Sequence, residues 1–394
     1  MRAAPLSLRL LPLLGLAAAC AGGEPSAKGS GGAPEDSAAD TGTMPVDPLA
    51  WPLDADGPYN VGHATIEVRY TTPLGADRTI PVQVFYPTTA TTGAEVRYDA
   101  LFLDPRALGG AAAAPPVEAA GYPLLVHSHG HFGVAGAVDF WAARLVSQGW
   151  VVAAVEHVGN RFQDGFPSFD LPSPTAHYIE RPADMSASLD ALLAGAAPLA
   201  GSVDPERVAT SGHSRGAYTV WATAGATFDP AAIAAGCAGE TDAFELRTCT
   251  PEEEAVFLSG ALADPRFRAS ILLDGGIRRE LVGAEGHRSA TTPLLALTQV
   301  NEGSQQQFDS IDQLDFSWVP VEGSCHETFN LGVEAATLQP CATMEVDRGW
   351  QITATYSFAF LRHHLMGDTS TATMGVLSGD VVVDAAAAVQ HKGP

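Results

Sequence analysis

Lysine is almost absent from this sequence. Of the 394 residues only Lys28 and Lys392 are lysines, and lysine and arginine together number 21 against 45 aspartate and glutamate residues. The resulting formal net charge of −24 repels phosphate backbones, so the composition argues against a nucleic-acid partner. The same acidity also fits a solvated surface that like charge keeps soluble.

Long hydrophobic runs are also missing. The apolar run Leu10–Leu16 is too short to span a bilayer, but it follows two arginines and precedes small residues and Cys20, a pattern typical of an export signal. We therefore predict a signal peptide over residues 1–20. We expect a signal peptide of the lipoprotein type. The protein would then lie in the cell envelope and contact the membrane only through a lipid attached to Cys20. The run Ala17-Ala18-Ala19 also suits ordinary cleavage, which would secrete the protein.

Cysteine is scarce, and the five cysteines indicate a compartment rather than a metal site. Apart from Cys20 they fall into two local pairs, and an exported protein can oxidise them. Four cysteines allow three connectivities, of which proximity favours Cys237–Cys249 and Cys325–Cys341. The alternative is four buried thiols.

Composition and periodicity predict one large α/β domain. Residues 21–45, rich in glycine, serine, alanine and proline, are typical of a flexible linker, which leaves residues 46–394 for the domain. Residues 104–121 are expected to form a loop. The pattern predicts strands over 64–71, 79–86, 122–127, 150–156, 203–210, 270–273, 293–298 and 316–321, and helices over 140–148, 184–199 and 348–365. Because strand and helix alternate from residue 122, we expect a mostly parallel sheet with helices on both faces.

An acidic, alanine-rich insertion spans roughly residues 225–268. It can form a lid over an active site, or a pair of surface helices with no functional role.

The stretch Gly212-His213-Ser214-Arg215-Gly216 carries the clearest chemistry. A strand pattern precedes it and a helix pattern follows it. A Gly-x-Ser-x-Gly turn in that context forces the serine into a strained, exposed bend at a helix N-terminus, for which the two glycines leave room. We therefore predict that Ser214 is a nucleophile.

A serine nucleophile requires a base, an orienting acid and donors for the oxyanion. His326 is the candidate base, because it lies in a Gly/Ser loop directly after a strand and downstream of Ser214. Two acids compete: Asp274 ends the apolar strand Ile271-Leu272-Leu273, and Glu302 follows the next strand. A carboxylate that ends a buried strand needs a partner, which favours Asp274.

The oxyanion donors are expected from two backbone amides. One is the N–H of His131, in the small-residue loop His127–Gly133 after the first strand of the alternating region. The other is the N–H of Arg215, the residue after the nucleophile.

Several stretches together resemble a known family. They are Tyr122-Pro123-Leu124 to Ser128-His129-Gly130, Gly149 through Val152-Ala153-Ala154-Val155-Glu156-His157, Gly212-His213-Ser214-Arg215-Gly216, Leu272-Leu273-Asp274, and Gly323-Ser324-Cys325-His326-Glu327-Thr328-Phe329. In order and spacing, over most of residues 64–365, they resemble the secreted platelet-activating-factor acetylhydrolases and the related dienelactone-hydrolase-like esterases. The resemblance implies an α/β-hydrolase fold and a triad acid at the end of the strand that follows the helix after Ser214, which is Asp274. It further implies cleavage of a small-molecule or lipid ester without metal or cofactor.

The sequence departs from this family at three places: the insertion 225–268, the four cysteines, and Arg215, where the family often has an apolar residue or glycine. Two other functions remain open. His127 and His129 alternate as the metal pair of an amidohydrolase would, although neither Lys28 nor Lys392 is placed to be the bridging lysine that such an enzyme usually needs. A non-catalytic binding lipoprotein on a hydrolase scaffold would be expected to lose part of the triad. The sequence makes no prediction of oligomeric state.

Overall fold

The computed structural model of the protein describes residues 47–98, 102–165, 174–239, 249–330 and 343–393. These belong to a unit that spans Val46–Pro394. The predicted signal peptide with Cys20, the linker 21–45 and Cys341 lie outside the described residues. The predictions made for them, including the Cys325–Cys341 bond, therefore stay predictions.

One sheet of eleven strands runs through the described part of the chain. In chain order the strands are β1 (Asn60–Thr71), β2 (Asp77–Thr88), β3 (Ala94–Tyr98), β4 (Phe102–Gly109), β5 (Tyr122–Ser128), β6 (Val151–Val155), β7 (Val203–His213), β8 (Ala269–Leu273), β9 (Leu294–Gln299), β10 (Phe316–Val321) and β11 (Gln390–Lys392). Their order across the sheet is β11-β10-β9-β8-β7-β5-β6-β2-β1-β4-β3.

The central strands are parallel, as the alternation of strands and helices predicts. Strand β5 pairs in parallel with β6 and β7, and the parallel pairing continues through β8, β9 and β10. Antiparallel pairs occur towards the two edges, where β2 joins β6 and β1, and β11 joins β10.

The helices and their packing confirm the layered arrangement. They are α1 (Asp139–Ser147), α2 (Phe162–Gly165), α3 (Pro174–Leu193), α4 (Arg215–Thr223), α5 (Pro230–Cys237), α6 (Pro251–Leu258), α7 (Arg279–Val282), α8 (Glu302–Ser310), α9 (Val346–Met366) and α10 (Thr371–Ser378). Strand residues alternate between the two faces. Ile271 and Leu273 share a core with residues of α1 and α9, whereas Leu272 packs with α4, so both faces of the sheet are covered.

The prediction of a loop over residues 104–121 is wrong at its start, because β4 extends to Gly109. Its pairing partners are β1 and β3, and β3 was not predicted either. Pairing between β4 and its neighbouring strands forms only in the folded sheet, so it leaves little trace in the local periodicity of the sequence.

The helix predicted over residues 184–199 begins ten residues earlier, at Pro174, and ends at Leu193. It passes through Pro182, which has no N–H to donate to the carbonyl of Tyr178 one turn before it. The Tyr218 hydroxyl donates to that carbonyl instead, at 2.9 Å, so a tertiary contact replaces the missing helix hydrogen bond. Gly195, with a φ of 86°, lies just beyond the end of the helix.

Within the insertion 225–268, α5 and α6 are joined by a disulfide between Cys237 and Cys249. The first of the two expected pairings is therefore present.

Candidate active site

Ser214 lies on a sharp bend between β7 and α4. Its φ of 55° and ψ of −114° are strained for a residue with a side chain. The two flanking glycines are required by space as well. A Cβ at Gly212 would lie 2.2 Å from the carbonyl oxygen of Gly216, and one at Gly216 would lie 2.0 Å from that of Ser128. The strand–turn–helix context predicted around Ser214 is therefore present in the fold.

The structure joins His326 to Asp274. Nδ1 of His326 lies 2.6 Å from Oδ2 of Asp274, so the imidazole donates to the carboxylate through this nitrogen. Asp274 also accepts from the backbone N–H of Gln299 at 2.9 Å and from its side-chain amide at 3.0 Å. Gln299 thus fixes the carboxylate, a role that no motif in the sequence indicated.

Electrostatics match this pairing. Burial opposes a charge on His326, but the hydrogen bond and the charge of Asp274 outweigh it and raise the pKa of His326 above its ordinary value. Burial likewise opposes a charge on Asp274, yet its hydrogen bond to His326 brings the pKa of Asp274 below its ordinary value. The pair therefore favours an imidazole whose Nε2 is available to receive a proton.

Ser214, Asp274 and His326 line one cavity of about 840 Å³. Among the described residues no hydrogen bond joins the Ser214 hydroxyl to the imidazole of His326. Such contacts are often long before substrate binds. The side chain of His326 is 41% exposed, which leaves it open to the cavity.

His213, the residue before Ser214, holds the loop of the candidate base. Its Nε2 lies 2.9 Å from the carbonyl oxygen of His326, and its ring centroid lies 4.6 Å from that of His326. Asn330 donates to Nδ1 of His213 at 3.1 Å. Burial, followed by the charge of His326, lowers the pKa of His213 to about 3, so a neutral His213 donates from Nε2 to this carbonyl.

Glu302, the other candidate acid, is the first residue of α8 and follows the Asn301 cap. The acid that the structure pairs with His326 is Asp274, the residue directly after β8.

The loop after β5 carries the candidate oxyanion donor His131, and Arg181 of α3 anchors it. The guanidinium of Arg181 donates to Oγ of Ser128 at 3.0 Å, to Oδ1 of Asn160 at 2.6 Å, and to the carbonyl of His129. Asn160 in turn donates to Nδ1 of His131 at 2.8 Å. Sequence reasoning missed this anchor, because Arg181 lies 50 residues after His131 inside a helix.

A second hydrogen-bonded chain continues from Ser128. His157 lies 2.9 Å from Oγ of Ser128 and 2.9 Å from Oδ2 of Asp184, and all three side chains are buried. Asp184 also accepts from Tyr70 and Arg78. This Ser-His-Asp chain lies in the core and joins β5 to α3, and none of its three side chains lines the cavity around Ser214.

His127 and His129, the alternative metal pair, bind other protein groups. Nδ1 of His127 lies 2.9 Å from Oγ of Ser211, and Nδ1 of His129 lies 2.7 Å from the carbonyl of Gly130. Burial lowers the pKa of His127 to about 3 and that of His129 well below its ordinary value. Within the described residues no cluster of three or more histidine, cysteine or acidic side chains is arranged to hold a metal ion.

The cavity around Ser214 is mainly polar. Apart from glycines, its only apolar lining residues in the described chain are Ile277 and Ala284. The described residues of the insertion 225–268 do not line the cavity. They pack against α3, α4 and α7, which gives no support to the lid hypothesis.

The comparisons with known proteins bear on the fold. No protein-family model and no curated protein matches the chain. A solved structure, a ferulic acid esterase from Streptomyces cinnamoneus, is similar with a TM-score of 0.54 and 21% sequence identity, over 82% of this chain and 94% of that one. The predicted α/β-hydrolase fold is thereby confirmed, while the narrower resemblance to acetylhydrolases is left open. No helix among the described residues is both long and apolar enough to cross a membrane.

Proposed function

We propose that the protein is a serine hydrolase that cleaves carboxylic esters through an acyl-serine intermediate. One observation carries the proposal: a serine on a strained strand–helix turn shares a cavity with a histidine whose Nδ1 lies 2.6 Å from a carboxylate. The similar structure is a ferulic acid esterase, which supports ester cleavage as the reaction. A protein that only binds ligands would have no need of this pair.

In the first half-reaction, Oγ of Ser214 bonds to the ester carbonyl carbon and its proton passes to Nε2 of His326. Asp274 keeps Nδ1 protonated and stabilises the imidazolium. The tetrahedral intermediate then collapses, the bond to the alcohol oxygen breaks, and His326 returns the proton to the departing alcohol. In the second half-reaction a water molecule gives a proton to His326 as its oxygen bonds to the acyl carbon. The bond between that carbon and Oγ of Ser214 then breaks, His326 returns the proton to Oγ, and the carboxylic acid leaves.

The oxyanion of both intermediates would be bound by the backbone N–H groups of His131 and Arg215. The N–H of Arg215 lies at the first position of α4, where a helix makes no internal use of its amides. His131 is held from its side chain by Asn160. Preorganised donors of this kind each contribute about 10²- to 10³-fold to turnover.

The polar lining favours a short acyl chain. A long alkyl chain gains free energy by leaving water for apolar side chains, and among the described lining residues only Ile277 and Ala284 have one. Of the ester classes that the sequence suggests, short-acyl esters therefore fit better than long-chain lipid esters.

The test is turnover of p-nitrophenyl esters from acetate to dodecanoate, together with labelling by a fluorophosphonate. Ser214→Ala should abolish labelling and lower turnover by about 10⁴- to 10⁶-fold without changing the melting temperature. Ser304→Ala, another serine of the cavity, is the matched control and should keep most of the activity. More than a tenth of wild-type activity in Ser214→Ala would remove Ser214 from the mechanism.

We also propose that the protein is exported and anchored through a lipid on Cys20, which the sequence of residues 1–20 supports. Expression in a bacterium with labelled palmitate should label the protein, and Cys20→Ala should not be labelled. An unlabelled protein in the medium would point to ordinary secretion instead.

A further inference from the structure

Three arginines line the cavity around Ser214: Arg278, Arg279 and Arg288. They face three lining carboxylates, Asp274, Glu280 and Glu285. The cavity is thus formally balanced in a protein whose net charge is −24. The cavity lining is therefore much less negative than the chain as a whole.

Two of these arginines are fixed by the protein. Arg279 donates to the carbonyl of Ala284, to the ring of His287 and to the hydroxyl of Ser310 at 2.5 to 3.0 Å. Arg288 binds Glu285, and Asp312 at 3.0 Å. The guanidinium N–H groups of Arg279 and Arg288 therefore bind groups of the protein around the cavity.

Arg278 differs from both. Among the described residues its guanidinium makes no hydrogen bond, and its one ion pair is a long contact of 3.5 Å with Glu280. An arginine carries five N–H donors in a planar fork that matches a carboxylate or a phosphate. The side chain is 32% exposed, so these donors remain accessible from the cavity.

The backbone places Arg278 close to the reacting groups. It lies four residues after Asp274 in the same loop, with a φ of 57° and a ψ of 68°, the left-handed region that residues with side chains seldom adopt. Strained backbone of this kind concentrates at functional sites. Here it precedes α7 and contributes a cation to the cavity that contains Ser214 and His326.

The charge of Arg278 reaches the candidate oxyanion loop. Burial, then the charge of Arg215, and further the charges of Arg181 and Arg278 lower the pKa of His131 to about 4. Arg215, Arg181 and Arg278 all act on His131 by charge, so these three arginines make the potential at the candidate oxyanion loop more positive.

We propose that Arg278 forms an anion-binding subsite, so that the preferred substrates are esters carrying a carboxylate or another anionic group near the scissile bond. The inference rests on the proposed esterase function and names its substrate class. The anion can belong to the acyl group or to the alcohol, and the two cases need different test substrates. Either one would displace Glu280 or share Arg278 with it.

The experiment compares matched anionic and neutral esters. For an acyl-side anion the pair is monomethyl adipate and methyl pentanoate, followed by pH-stat. For an alcohol-side anion it is para-acetoxybenzoate and its methyl ester. The wild-type enzyme should prefer the anionic member of at least one pair, and that preference should weaken as salt screens the charge.

Arg278→Gln should lower the ratio of kcat/KM between the anionic and the neutral ester by about 10- to 100-fold, as expected for lost charge-assisted hydrogen bonds. Arg278→Glu should lower it further. The matched control is Arg288→Gln, which removes the same charge from an arginine that already has partners; its ratio should change by less than about threefold.

The outcomes separate this inference from the proposed function. Ester hydrolysis with equal ratios in wild type and Arg278→Gln would overturn the anion subsite and leave the esterase intact. An equal decrease of the kcat/KM ratio in Arg288→Gln would also overturn it, because the preference would then come from the overall positive charge of the arginines and not from binding at Arg278. Hydrolysis of none of the four esters would overturn both.

Discussion

Nδ1 of His326 lies 2.6 Å from Oδ2 of Asp274, although 52 residues separate them in the chain. The contact exists because β8 and β10 are parallel neighbours of β9, so the loops that follow them lie together at the carboxyl ends of the strands. Ser214 follows β7 at the same end of the sheet. The proposed chemistry therefore depends on strand order.

Replacing the two candidate acids should separate their roles. Asp274→Asn should lower turnover by about 10³- to 10⁴-fold, because an amide cannot keep the same tautomer of His326 or stabilise its charge. Glu302→Gln should cost less than about tenfold. Steady-state kinetics with p-nitrophenyl acetate measures both. The reverse ranking would move the acid to the loop after β9, and two mild effects would remove both from the mechanism.

The pH dependence should report the raised pKa of His326. A general base must be neutral, so kcat/KM should rise with pH and reach half its maximum above 6.5, the ordinary histidine value. Asp274→Asn removes the charge and weakens the hydrogen bond that contribute most to raising this pKa, and it leaves burial, which lowers it. The NMR titration of the His326 ring should therefore move to lower pH in the variant. A wild-type midpoint below 6.5 would contradict the pairing.

Asn160 should act on turnover through the oxyanion loop. Asn160→Ala breaks the link between Arg181 and His131 and should lower kcat by about 10- to 100-fold with little change in KM, since a small displacement of a donor weakens transition-state binding. Thermal melting monitors the fold. Asn160→Asp, which keeps an acceptor for Arg181, is the comparison variant. A change confined to KM would assign Asn160 to substrate binding.

The two cysteine pairs should differ in their effect on catalysis. A Cys325–Cys341 bond would hold the loop that carries His326, and a closed loop of about 15 residues is worth roughly 3 kcal/mol in the chain-entropy model. We expect Cys341→Ser to lower turnover by more than its effect on the melting temperature would suggest. Cys249→Ser, which breaks the bond to Cys237 away from the cavity, is the control. Non-reducing peptide mapping that finds free thiols at both 325 and 341 would end this hypothesis.

The lower accuracy of sequence reasoning away from the central sheet has a structural cause. Strand β4 and the start of α3 were misplaced because their stability comes from distant partners, the neighbouring strands in one case and the Tyr218 hydroxyl in the other. The elements α10 and β11 near the C-terminus are too short to show a clear periodic pattern, and they were not predicted. Local periodicity does not contain such information.

The sequence alone determined the strand–turn–helix around Ser214, because the two glycines and the flanking apolar runs act within about a dozen residues of it. It also determined the parallel sheet, since alternating strands and helices leave few other arrangements. Only the tertiary structure decided that His326 meets Asp274, that Arg181 anchors the loop of His131, and that the guanidinium of Arg278 makes no hydrogen bond among the described residues. The first two are contacts between residues far apart in the chain, which only the packing of the strands and helices brings together, and the third depends on which groups that packing leaves near Arg278.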